Sequence, residues 1–189
     1  LAAAVVEGGA QVHLVAGPTN LLAPRGLQRH ESVESAQEMA DAVAAGLEAG
    51  AQWLFMAAAV ADYTPAKPAA SKLKKNTLGQ QWSLEMKPNP DILAQVVPNH
   101  RHEDLKIVGF ALETDDMMQR AADKRVAKSM NFIVANNPVS DGAGFGKVNH
   151  QVTLMGDSGV IWQSGSAPKG ELASEILKRL ADIEKETEK

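Results

Sequence analysis

Cysteine is absent from the 189 residues, and that absence removes catalytic thiols, thiolate metal sites and disulfides together. No apolar run approaches the ~20 residues that a membrane-spanning helix needs. The apolar opening, residues 1–6, is too short for a signal peptide and carries neither a basic leader nor a cleavage site. Lysine and arginine total 19 against 23 aspartates and glutamates, a formal net charge of -4, so no basic field points to nucleic acid. There is no internal repeat, no low-complexity tract and no metal-binding spacing such as His-Glu-x-x-His. These absences suit a cytoplasmic protein with neither membrane nor nucleic acid as partner. What is present, 44% hydrophobic and 22% charged residues, suits one globular domain able to bury a real core. A mildly acidic chain can still hold an anionic substrate, but only through a local cluster of donors.

The pattern alternates helix and strand. Residues 1–7 read as the end of a helix stopped by Gly8 and Gly9, 12–15 as a buried strand closed by Gly17 and Pro18, and 27–33 as a second strand. Ser35 and Glu38 make a Ser-x-x-Glu capping box that opens an alanine-rich helix to about Glu48. Residues 53–58 have strand length and composition. From 69 to 86 the chain turns polar and lysine-rich, and the alternation of Trp82, Leu84 and Met86 predicts a two-stranded ribbon or flap, placed at about 69–87. Pro90 opens a short helix to Val97. A strand at 107–111, a helix at 114–130, a strand at 132–135, a loop at 136–149, a hairpin of 152–155 with 160–163, and a helix from 171 to about 184 follow. Residues 184–189 read as a frayed end.

This order predicts an α/β fold of modified Rossmann type over 1–189, a mainly parallel sheet with helices on both faces and a protruding lysine-rich β-ribbon flap. A helix, a Gly-Gly pair and a strand form the second half of a βαβ unit. The first strand, central in a doubly wound sheet, and its phosphate-cradling turn are therefore expected to lie outside this sequence.

Four stretches carry candidate chemistry. Ala57 to Tyr63 follows a strand, where ligands of open α/β sheets bind, and its small residues allow close backbone approach. Asp62 there can hold a ribose hydroxyl or a metal ion, or simply form a turn. Lys72 and Lys74 fall on one face of a strand, where an anion would relieve their repulsion; edge protection explains them equally. Lys87-Pro88-Asn89-Pro90-Asp91-Ile92 fixes a strand-to-helix junction whose exposed amides suit an oxygen-rich ligand, with Asp91 either a sugar acceptor or a helix-dipole partner. Val108-Gly109-Phe110 ends a strand, so Phe110 can stack on a base or fill the core. Lys124 and Lys128 share one helix face, where phosphate would offset their repulsion. Two other signals carry less. Gly142-Ala143-Gly144-Phe145-Gly146 leads to a hairpin rather than a helix, so it lacks the context of a dinucleotide fingerprint. His100 and His102 read as surface histidines in a polar loop.

Taken in series, Ala-Ala-Val-Ala-Asp-Tyr, Lys-x-Lys-Lys, Asn-Pro-Asp-Ile, Val-Gly-Phe-Ala-x-Glu-Thr, Lys-x-x-x-Lys and Ile-Val-Ala-Asn resemble bacterial phosphopantothenate–cysteine ligase over nearly the whole chain. The resemblance implies a homodimer with the flap near its interface, and a two-step ligation using CTP and magnesium. The carboxylate of 4′-phosphopantothenate attacks the α-phosphate of CTP and releases pyrophosphate; the amine of L-cysteine then displaces CMP from the acyl-cytidylate. It implies Lys72 as the catalytic residue of the flap. It implies Met56, Ala57, Ala58, Asp62, Asn89, Pro90, Asp91, Ile92, Phe110, Lys124 and Lys128 as nucleotide-binding positions, with Asp62 the candidate metal ligand. Members are often fused behind a flavin-dependent decarboxylase. The chain departs from the family in lacking its glycine-rich opening, and in having Asn131 and Asn137 where aspartate is common.

Two other classes compete. A nicotinamide-dependent oxidoreductase requires an acid closing the second strand, but 12–15 runs instead into Ala16-Gly17-Pro18. A non-catalytic nucleotide-binding module would leave Lys72 without a purpose.

Overall fold

The computed structural model describes residues 1–78, 81–112, 117–136 and 149–187. Helix α1 (Ala2–Glu7) leads to strand β1 (His13–Ala16), which pairs in parallel with β2 (Arg29–Ser32). Helix α2 (Ala36–Glu48) crosses to β3 (Trp53–Met56). A short ribbon, β4 (Tyr63–Pro65) with β5 (Met86–Pro88), encloses the helical turn α3 (Lys75–Leu78). A π-helical turn (Ile92–Val96) and a 3-10 turn (Val97–His100) precede β6 (Lys106–Leu112), α4 (Met117–Ala127) and β7 (Phe132–Asn136). Strands β8 (Asn149–His150), β9 (Val152–Gly156), β10 (Gly159–Gln163) and β11 (Ala167–Pro168) lead into α5 (Lys169–Thr187).

The main sheet has five strands in the order β10-β9-β7-β6-β3. β3, β6 and β7 are parallel, and β9 and β10 add an antiparallel edge. The mainly parallel α/β architecture with helices on both faces is therefore the one predicted. Alternation along β6 explains the two layers of core. Ile107 and Ala111 join the cluster beneath α2 and α4, whereas Val108 and Phe110 join the cluster beneath α5. α2 buries Met39, Ala40, Val43 and Leu47 at helical spacing. Its capping box is present on both sides: Ser35 Oγ accepts from the Glu38 N–H at 3.2 Å, and Glu38 accepts from the Ser35 N–H at 2.9 Å.

Helix ends follow from local chemistry. α1 and α2 stop at Gly9 and Gly50, both with positive φ. α4 ends the same way at Ser129, φ 49, where the Met130 N–H donates to the Arg125 carbonyl at 2.9 Å and the Ser129 N–H to that of Val126 at 3.0 Å. A serine in the left-handed region is less favourable than glycine, so the residue types carry no clear stop signal there, and the helix ends short of the predicted residue 130. α5 begins at Lys169 and continues through Thr187, into the stretch predicted to fray.

The flap differs from expectation. Residues 72–74 and 81–85 form no strand, so alternation does not place Lys72 and Lys74 on one strand face. Pairing is confined to the base, Tyr63 opposite Pro88 and Pro65 opposite Met86. Pro65 and Pro68 lack the N–H groups a longer ladder would require. His100 and His102 are half-buried rather than surface residues. His100 Nδ1 lies 3.3 Å from Glu48, and His102 Nε2 donates to the Ala51 carbonyl at 3.0 Å, so both tie their loop to the end of α2. The glycine-rich stretch at 142–146, Asn137, and the start of the helix predicted from 114 lie outside the described residues.

One gap interrupts the architecture. Among the described residues, β1 pairs only with β2, and β3 only with β6. Between them runs a groove of about 1600 Å³ bordered by β1, β3, α1, α2 and α5.

Candidate active site

Parallel β3 and β6 end on the same edge of the sheet, the edge where open α/β sheets bind ligands. A cleft of about 200 Å³ opens there. Met56 borders it from the end of β3, and Ala58 and Asp62 from the segment that follows. Asn89, Pro90 and Asp91 border it from the chain leading into the π-helical turn, Ile92 from the start of that turn, and Phe110 from the end of β6. Lys124 and Lys128 close it from the end of α4. Segments far apart in sequence are thus brought together. Ala57 faces the neighbouring groove between β1 and β3 rather than this cleft. Lys72 borders neither space; it is exposed on the flap, between β4 and α3.

Asn89 positions one wall. Its side-chain amide donates to the Ala61 carbonyl at 2.8 Å, and its backbone N–H to the Asp62 carbonyl at 2.8 Å. These two bonds lock the ends of the flap together and fix Asp62 at the cleft rim. Asp91 organises the opposite wall. One carboxylate oxygen caps the π-helical turn, accepting from the Ala94 N–H at 3.1 Å, and the other pairs with Lys128 Nζ. Partial burial pushes the Asp91 carboxyl up. The hydrogen bond from Lys128, backbone donors at Ala94 and Leu93, and the Lys128 charge outweigh it and hold the group below its usual range. Lys128 is held at the cleft by the tight end of α4, with Lys124 one turn before it on the same face. The Phe110 ring packs into the cluster beneath α5, so core packing accounts for it and it borders the cleft only at its margin.

Sequence reasoning missed the floor. Gly109 and Met130 line the cleft, and a Cβ on Gly109 would collide with Met130 Sδ. Met130 is buried at 3% exposure, so it has little room to yield. Gly109→Ala is expected to lower stability by ~1–3 kcal/mol, the usual cost of overpacking a core. Urea denaturation of that variant beside the Gly109→Ala, Met130→Ala double variant tests the contact. An equal penalty in both backgrounds would show that Met130 is not the obstacle. Asn131 ties β6 to the chain entering β7. Its Oδ1 accepts from the Ile107 N–H at 2.9 Å, and its own N–H donates to the Ile107 carbonyl at 3.0 Å. Aspartate could supply the same acceptor, which explains why asparagine is tolerated there.

The arrangement offers two lysines, one carboxylate already committed to a lysine, and one exposed carboxylate, Asp62. That set can hold an anionic, oxygen-rich ligand against the edge of the sheet. Among the described residues, no three His, Cys, Asp or Glu gather as a metal site.

Comparison with known proteins places the chain in a family. A family described as the DNA/pantothenate metabolism flavoprotein C-terminal domain matches residues 1–183. The chain is 36% identical over 187 residues to the coenzyme A biosynthesis bifunctional protein CoaBC of Bacillus subtilis, covering 99% of this chain and 45% of that protein. It is 38% identical over 184 residues to the protein of the same name from Vibrio parahaemolyticus, covering 97% of this chain and 45% of that protein. The chain therefore spans less than half the length of these relatives. A solved structure, the C-terminal domain of a coenzyme A biosynthesis bifunctional protein CoaBC, superposes with a TM-score of 0.77 at 29% identity, covering 98% of this chain and 80% of that one.

Proposed function

The chain belongs to the family of DNA/pantothenate metabolism flavoprotein C-terminal domains, and from that premise we propose that it carries phosphopantothenate–cysteine ligase activity in coenzyme A biosynthesis. The observation that carries the reading is the cleft itself, where Lys124 and Lys128 face Asp62 and the Asn89–Ile92 turn at the shared ends of β3 and β6. These are the positions expected to hold a nucleoside triphosphate, here CTP.

A carboxylate is a poor electrophile, and joining it to CMP creates a leaving group. In the first step a carboxylate oxygen of 4′-phosphopantothenate attacks the α-phosphorus of CTP, and the bond to the β-phosphate bridging oxygen breaks to release pyrophosphate. That step drives an anion onto an anion, so fixed cations must offset the developing charge. Lys124 and Lys128 are assigned this role, with Lys128 oriented by Asp91. In the second step the L-cysteine amine attacks the acyl carbon, CMP leaves, and the amine gives up a proton. Lys72 on the flap is assigned to this acyl-cytidylate.

Magnesium fits the donor set, because it is commonly bound by one or two carboxylates with water and substrate phosphate oxygens completing the shell. Asp62 would hold it, and the ion would neutralise phosphate charge. In the same reading the protein is a cytoplasmic homodimer. The flap favours association, since Leu73, Trp82 and Leu84 remain exposed at 47%, 52% and 46%. Among the described residues no helix is long and apolar enough to cross a membrane. The relatives are named bifunctional and extend well beyond the matched segment, which leaves room for a flavin-dependent decarboxylase as companion.

The test is pyrophosphate release with CTP, magnesium and 4′-phosphopantothenate, with and without L-cysteine. The chain would be assayed alone and joined to the preceding segment of the Bacillus subtilis relative. Release in both conditions from the joined protein, with CMP and product only when cysteine is present, is the expected result. A folded, nucleotide-binding protein that releases nothing with CTP or ATP would instead be a binding module.

A further inference from the structure

We propose that Arg101, in a role that rests on the nucleotide reading of the cleft, is a positioning residue for the triphosphate: from outside the cleft it holds the turn that follows Lys128, and so fixes where that ammonium stands. α4 ends at Ala127, and Lys128 opens the turn. The next residue, Ser129, has φ 49. A left-handed serine is less favourable than glycine, so the turn persists because surrounding groups hold it. Two guanidiniums do so. Arg101 Nη1 donates to the Ser129 carbonyl at 2.9 Å, and Arg125 Nη1 to the Met130 carbonyl at 3.1 Å. The Arg125 side chain is 12% exposed and pairs with Asp157 at 2.6 Å, which ties the turn to the β9–β10 hairpin. Arg101 ties it instead to the wall of the cleft.

Asp91 and Arg101 bracket one continuous segment, the π-helical turn followed directly by the 3-10 turn. One end of the segment binds the Lys128 ammonium through Asp91, and the other binds the Ser129 carbonyl through Arg101. Adjacent residues at the end of α4 are thus held by the two ends of a single piece. That piece is anchored in its turn. Ile92 and Val97 are buried at 4% and 1% exposure. His100 and His102, on either side of Arg101, are tied to Glu48 and to the Ala51 carbonyl at the end of α2.

The two ties differ once a ligand arrives. A phosphate competes with Asp91 for the Lys128 ammonium, because both are anions. The Ser129 carbonyl is itself an acceptor, so a phosphate offers it nothing, and Arg101 does not border the cleft. Arg101 is then the tie that keeps the turn in register with the wall from Asn89 to Ile92. An arginine on the last carbonyls of a helix also has an ordinary use, satisfying groups that the helix leaves unpaired. That use alone predicts lower stability and no effect that depends on Lys128.

Titration calorimetry with CTP and magnesium separates the two, on the chain alone and on the joined protein, with thermal denaturation of each variant alongside. Arg101→Gln should weaken CTP binding by roughly 3- to 10-fold, the worth of one ordinary hydrogen bond. Arg101→Lys, which keeps a charged donor, should recover most of that loss. In a Lys128→Met background, Arg101→Gln should cost no further affinity, whereas any fall in melting temperature should be the same in both backgrounds. Two results would overturn the proposal: an Arg101→Gln variant that binds CTP like the parent, or one that loses as much affinity without Lys128 as with it. A parent that binds no nucleoside triphosphate would remove the reading of the cleft itself, and the role of Arg101 with it.

Discussion

Lys72→Gln should cut formation of phosphopantothenoylcysteine by roughly 100-fold or more while pyrophosphate release in the absence of cysteine stays within a few-fold. Removing one group that stabilises developing charge typically costs this much in turnover. Glutamine keeps the length and polarity of lysine but not its charge, so a structural role at this exposed position would leave both steps intact. The split between the two steps discriminates further. If Lys72 served only to attract the triphosphate, both would fall together and KM for CTP would rise. Quenched-flow detection of the acyl-cytidylate gives the direct readout, because the variant should accumulate it. Unaltered product formation would remove Lys72 from the mechanism, leaving the proposed nucleotide cleft without its proposed flap partner.

Lys128→Met is expected to weaken nucleoside triphosphate binding by roughly 10- to 100-fold. A charge-assisted hydrogen bond contributes ~1.5–3 kcal/mol, and each 1.4 kcal/mol is about tenfold in affinity. Methionine preserves much of the aliphatic stem, so the end of α4 should keep its packing. Titration calorimetry should include Lys185→Met as a control. Lys185 is 74% exposed on the last turn of α5, and its loss changes net charge equally without touching the cleft. If both variants weaken binding alike, and the effect vanishes in high salt, the nucleotide is sensing the general field rather than a fixed contact.

Much of the site was legible in the sequence because its residues sit at strand and helix ends. Ala58, Asp62, Asn89, Asp91, Lys124 and Lys128 fell in stretches with candidate chemistry, and the family resemblance implied them as nucleotide-binding positions. The parallel pairing of β3 with β6 then brought them to one edge. The Asp91–Lys128 pair was not legible, since neither residue's local pattern names the other across the cleft. Gly109 and Met130 were missed for a related reason: the absence of a side chain at one position matters only once another side chain fills the space. The flap misled in the opposite way. Alternation of Trp82, Leu84 and Met86 satisfies the rule for a strand, but that rule presupposes a partner edge, and Pro65 and Pro68 deny it one.

The lock formed by Asn89 on Ala61 and Asp62 carries an evolutionary consequence. Everything from Tyr63 to Pro88 hangs from a closed base, so its interior can lengthen, shorten or change composition without moving the cleft walls. Doubling the length of such a loop adds only ~0.6 kcal/mol of closure entropy. Selection can thus retune the flap, and with it the surface it offers a neighbour, while the cleft walls stay fixed. Divergence within the family should therefore concentrate inside the flap, with Asn89 and the Ala61–Asp62 turn changing least.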